Sequence, residues 1–144
     1  MKLILFIFLI IFILIGCGYS GIQNEIIQFF DEIYYIEEEM MSGVDALNDI
    51  EEQIKIIENA YEELYTIYVP EPCEKIYSIE MERYQCSLDM WYEMYKLLYI
   101  NGVSEDEFLN NNRINELLDK SAQLDIDSVI EQNKIIRDYN IEIR

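Results

Sequence analysis

From Ile22 to Tyr68 the apolar residues recur at alternating steps of four and three. The series is Ile22, Ile26, Phe29, Ile33, Ile36, Met40, Gly43, Leu47, Ile50, Ile54, Ile57, Tyr61, Leu64 and Tyr68, with only Gly43 out of type. A repeat of this period keeps every one of these positions on one side of a helix and does not match the two-residue period of a strand. Phe30, Val44 and Tyr65 widen the stripe beyond a two-stranded seam, and isoleucine at both core positions disfavours a simple dimer. The pattern therefore predicts an all-α protein in which this segment packs into a multi-helix bundle. The phase survives Met41-Ser42-Gly43-Val44-Asp45, so one long helix is expected, kinked near Gly43, where glycine costs up to about 1 kcal/mol relative to alanine. A break into two helices is the alternative.

Val69-Pro70-Glu71-Pro72 ends this segment, because proline disfavours helix in the residue before it and suits a first helical turn after it. A second helix is expected from about Cys73 to Ile100. One of its stripes is Tyr77, Met81, Tyr84, Leu88, Trp91, Tyr95 and Leu98. The other is Ile76, Ile79, Cys86, Met90, Leu97 and Ile100, interrupted by Arg83 and Glu93. A helix apolar on two sides is covered on two sides, which places it in the middle of the bundle. Asn101-Gly102-Val103 reads as a turn, and Ser104-Glu105-Asp106-Glu107 as a capping box that opens a third helix to about Ser121. That helix uses Phe108, Leu109, Ile114, Leu117 and Leu118. A second box, Ser128-Val129-Ile130-Glu131, predicts a restart after Leu124-Asp125-Ile126-Asp127, with Val129, Ile130, Ile136, Tyr139 and Ile143 in the core. The expected architecture is an up-down-up bundle of long antiparallel helices with its third helix broken, forming a single domain over residues 22–144.

The chemistry is bounded mainly by what is missing. The chain has no histidine, which removes serine–histidine and cysteine–histidine nucleophiles and the usual zinc ligand sets. It carries no phosphate loop and no dinucleotide fingerprint. No catalytic, cofactor-binding or metal-ligating set is expected, and the protein reads as a non-enzyme. Ten basic against 29 acidic residues give a formal charge of −19, which excludes nucleic-acid binding through phosphate contacts. The same charge repels an anionic lipid surface. Glu37-Glu38-Glu39, with Asp31 and Glu32 a turn earlier, suits either a solvated helix face or a cation held by oxygens. Cys73 and Cys86 are too far apart on one helix to bridge unless Cys73 folds back before the helix starts, and they read as small apolar fillers. Of the tyrosines at the stripe edges, Tyr92 and Tyr99 are the best candidates for partner contact.

The first residues carry a different signal. Lys2 precedes an apolar run from Leu3 to Ile15, which is shorter than the roughly 20 residues a spanning helix needs. The run closes on Leu14-Ile15-Gly16-Cys17, which resembles the lipobox of bacterial lipoproteins. The resemblance implies a leader over residues 1–16 removed between Gly16 and Cys17. It also implies a diacylglyceryl group on the Cys17 sulfur (palmitate being a typical acyl chain), and a short tether over residues 17–21. The mature part is similar only in type to small uncharacterised helical lipoproteins. Together these readings predict a lipid-anchored protein on the extracytoplasmic face of the cell membrane, a cell-surface module with a non-catalytic binding or structural role and a protein partner. The alternatives are an exclusion or immunity lipoprotein of phage or plasmid type, and a lipoprotein that binds cations through carboxylates.

Overall fold

The computed structural model describes residues 2–46, 49–104, 107–108 and 110–141, with side chains from residue 21 onward. The leader positions Gly16 and Cys17, and the stripe positions Leu47, Leu109 and Ile143, lie outside the residues whose side chains are described. The architecture is an all-α bundle. Its helices are α1 (Lys2–Ala46), α2 (Ile50–Leu64), α3 (Glu74–Tyr95) and α4 (Asn112–Asp138). A 3-10 turn, Glu71–Cys73, leads into α3, and a π-turn, Lys96–Ile100, extends it.

Neighbouring helices alternate in direction. Gln53 Nε2 donates to Val44 O at 3.1 Å where α1 turns into α2. Tyr95 bonds Glu51 at 2.5 Å at one end of the α2–α3 pair, and Tyr77 donates to Leu64 O at 3.2 Å at the other. Lys75 pairs with Glu131, Glu82 with Lys120, and the Cys86 thiol faces Leu117 O, so α4 runs back along α3. The course is up-down-up-down, and α3 is flanked by α2 and α4 as its two apolar stripes predict.

The long first helix of the sequence reading is corrected to a hairpin. Asp49 is extended, and its carboxylate accepts the amides of Glu51 at 2.8 Å and Glu52 at 3.2 Å. This satisfies the free amides of a new helix, and Glu51 and Glu52 add negative charge where the helix dipole favours it. Both arms still turn their stripes inward: Ile26, Phe29, Ile33 and Ile36 on α1, and Ile50, Ile54, Ile57 and Leu64 on α2, are buried. Gly43 lies within α1, before the break. A Cβ there would stand 3.0 Å from Ile56 Cδ1, so its missing side chain lets the two arms approach closely. The second arm stops at Leu64 rather than Tyr68, where Thr66 Oγ1 donates to Glu63 O at 2.7 Å.

The break in the C-terminal segment also lies elsewhere than expected. The Ser104–Glu107 box forms, with Ser104 N donating to Glu107 Oε2 at 3.0 Å, and Phe108 N bonds Ser104 O at 2.9 Å. The chain then restarts at Asn112, where Asn111 Oδ1 accepts the amide of Ile114 at 3.0 Å. From there α4 is continuous through 124–127, so Ser128 caps nothing. Without a restart the helical phase differs: Leu124, Ser128, Glu131 and Ile135 face inward, while Val129 and Ile130 are exposed. Leu118, also expected in the core, is exposed, whereas Ile114 and Leu117 are buried.

The main core joins Ile26, Phe29, Ile33 and Ile36 to Leu64, Cys73, Ile76, Tyr84 and Ile135. A smaller cluster between α3 and α4 holds Cys86, Leu117 and Leu124. Cys73 and Cys86 are free and buried, and burial pushes the Cys73 thiol up to about 12, so it stays protonated and packs as an apolar group. Gly102 takes a φ of 62° after the π-turn, the left-handed region that glycine adopts without strain.

Candidate functional site

A groove opens where α1, α3 and α4 meet. Its cavity is about 460 Å³, walled by Phe30 and Tyr34 of α1 and by Val129 of α4, with Ile76, Glu80 and Arg83 of α3 as its floor. Spacing on α3 explains the floor. Positions 76, 80, 83, 87 and 91 fall on one helical face, and the chain places a carboxylate and a guanidinium in its middle. Further along α1 and α3 a separate hollow, about 510 Å³, lies between Met41 of α1, Gln53 and Ile57 of α2, and Ser87 and Trp91 of α3.

Arg83 organises the site. Its Nη2 lies 2.9 Å from Glu37 Oε1 on α1, its Nη1 2.5 Å from Glu80 Oε2, and its Nε 2.8 Å from Asp125 Oδ1 on α4. Glu80 is only 3% exposed. Its other oxygen accepts the Ser128 hydroxyl at 2.5 Å. One side chain thus ties three helices through charge-assisted hydrogen bonds. Burial opposes the charge on Arg83, but Glu80, Glu37 and Asp125 outweigh it and hold the guanidinium above its ordinary range. Three carboxylates face one cation, so the floor keeps two negative charges in excess. Beside it, the Tyr84 hydroxyl is buried with no hydrogen-bond partner among the described residues, and burial raises its pKa.

A second ion cluster closes the same α3–α4 seam. Glu131 accepts from Lys75 at 2.5 Å and from Lys134 at 3.0 Å, and these bonds lower its pKa. The residues singled out in the sequence are spread around the molecule. Glu38 and Glu39 are exposed, and Glu39 accepts the Tyr35 hydroxyl, while Glu37 turns toward Arg83. Among the described residues no group of three or more histidine, cysteine, aspartate or glutamate side chains is placed to hold a metal ion. Tyr92 donates to Glu58 on the α2 side of α3, and Tyr99 stacks on Tyr95 with ring centroids 5.5 Å apart. Neither lines the groove. The groove is hidden in the residue pattern because Arg83 reads there as an interruption of an apolar stripe. Its available signal was a lone arginine at a core position, which demands buried carboxylates.

A scan against protein-family models finds no match for this chain, and searches of curated proteins and of solved structures return none. Among the described residues no helix is long and apolar enough to cross a membrane.

Proposed function

We propose that the protein is a lipid-anchored, extracytoplasmic binding module that holds a protein partner in the groove between α1 and α4. The observation that carries the binding role is the pairing of exposed apolar walls with a fixed charged floor. Tyr34 is 66% and Val129 54% exposed, on either side of Arg83 and its three carboxylates. Large apolar side chains on a chain of charge −19 are costly to leave in water, and clustered ones mark interaction surfaces. Ser128 donates to Glu80, but Arg83 pairs with that same carboxylate, and the chain has no histidine to serve as a base.

The anchoring role rests on Lys2, the apolar run and Leu14-Ile15-Gly16-Cys17. Cleavage before Cys17 would remove Lys2 and take the charge from −19 to −20. Such a chain has no electrostatic means of attachment, so two acyl chains, at about 0.8 kcal/mol per buried methylene, would supply it. Photocrosslinking on intact cells tests the binding role. A photoreactive residue at Val129 is expected to yield one discrete protein adduct, and the same group at Gln123, which is exposed and outside the groove, none. Equal labelling from both positions, or none from Val129, contradicts the reading.

A further inference from the structure

We infer that the groove takes a basic amphipathic helix of another protein, laid along α1 and α4 with its apolar face against Phe30, Tyr34 and Val129. This inference rests on the binding-module reading and names the chemistry of the partner. The shape comes first. Two antiparallel helices flank a trough whose floor is a third, the arrangement that receives the apolar face of an added helix. Phe30 to Glu37 on α1 and Asp125 to Gln132 on α4 each span about 10 Å at 1.5 Å per residue, so the groove meets about two turns of an added helix.

Charge then selects the occupant. All three nitrogens of Arg83 already face carboxylates, so the floor has little to offer an acidic ligand. Glu37 and Asp125 keep 37% and 55% of their side chains exposed, open to a lysine or arginine from above. The acidity of the whole chain steers cationic segments in and turns away acidic helices, anionic lipid and a second copy of this chain.

The test uses the full chain in phosphatidylcholine nanodiscs and two fluorescent amphipathic peptides of about 14 residues, long enough to form a helix that passes both ends of the groove. They share one apolar face, and their polar faces are all lysine or all glutamate. After subtraction of empty discs, anisotropy is expected to report binding of the lysine peptide alone. Val129→Lys is expected to weaken it about tenfold, or roughly 1.4 kcal/mol. Ile130→Lys adds the same charge on the neighbouring exposed position outside the groove, and is expected to leave affinity within about twofold. Circular dichroism confirms that both variants are folded. Equal weakening by both substitutions means diffuse attraction and overturns the proposal. Binding of the glutamate peptide that Val129→Lys abolishes overturns the stated chemistry but leaves the binding-module reading standing. A dimer of the natural chain that Val129→Lys dissociates overturns it in favour of a second copy. If intact cells give no protein adduct from Val129, the binding-module reading itself fails.

Discussion

Arg83 Nη2 and Glu37 Oε1, from residues 46 positions apart, meet at 2.9 Å and join the first arm of the hairpin to the central helix. The same guanidinium holds the buried Glu80 and, across the groove, Asp125. A single cation therefore neutralises part of a floor that three helices build. Remove it, and Glu80 is left as a buried carboxylate whose remaining partner among the described residues is Ser128.

Arg83→Met is accordingly expected to cost about 3–5 kcal/mol, the usual penalty for breaking one side of a buried pair. The double variant Arg83→Met with Glu80→Gln should recover most of it, because the amide can still accept the Ser128 hydroxyl without a charge. Urea unfolding followed by circular dichroism measures both. An equal loss in the single and double variants would show that the cost is packing, not an unpaired charge.

Gly43 reports on the hairpin. In Gly43→Ala the new Cβ meets Ile56 Cδ1, the mobile end of a side chain, at 3.0 Å. A shift of a few tenths of an ångström relieves this, and alanine gains up to about 1 kcal/mol of helix propensity, so the net change should be small. Gly43→Leu cannot be absorbed and should cost about 1–3 kcal/mol through overpacking. Thermal unfolding of the two variants separates them. A harmless Gly43→Leu would mean that α1 and α2 do not pack here.

Asp49→Ala removes the cap that starts α2 and should cost about 1 kcal/mol, whereas Asp49→Asn should be nearly neutral because it keeps the acceptor. Denaturant midpoints at neutral pH decide it. A neutral Asp49→Ala would instead favour one helix running through this position.

Acid should loosen the α3–α4 seam through Glu131. Its bonds to Lys75 and Lys134 lower its pKa from the ordinary 4.5, and its side chain is 5% exposed. A carboxylate depressed on folding adds stability above its unfolded pKa and loses it as pH falls through the folded value. The natural protein should therefore lose stability below about pH 4.5, and Glu131→Gln should flatten that limb. Equal acid slopes in both proteins would assign the acid sensitivity to other carboxylates.

Much of this bundle is legible in the residue pattern, and the misses have specific physical causes. The stripe from Ile22 to Tyr68 identifies buried positions on both arms, because each arm faces the same core. It hides the turn, since the apolar phase crosses the break at 46–50 unchanged. The signal was Asp49 followed by Glu52, a capping pattern that is inconspicuous in so acidic a chain. Ser128 and Glu131 carry the same pattern, yet both are drawn inward by partners on α3, Glu80 and Lys75. Local sequence cannot tell a capping serine from one bonded across helices. Nor can it reveal the groove, because Arg83, Glu37 and Asp125 come together only once three helices have packed.

Lipidation of Cys17 is the most direct test of the account as a whole, because it sets where the module works. Cells expressing the natural chain or Cys17→Ala would be fed an alkyne fatty acid, and the purified proteins compared by gel fluorescence and by mass spectrometry of the N-terminal peptide. The expected result is a natural protein that begins at Cys17 and carries a diacylglyceryl thioether, with an unlabelled Cys17→Ala variant that keeps its helical circular dichroism. A natural protein that never takes up label, or a Cys17→Ala variant that still does, would contradict it.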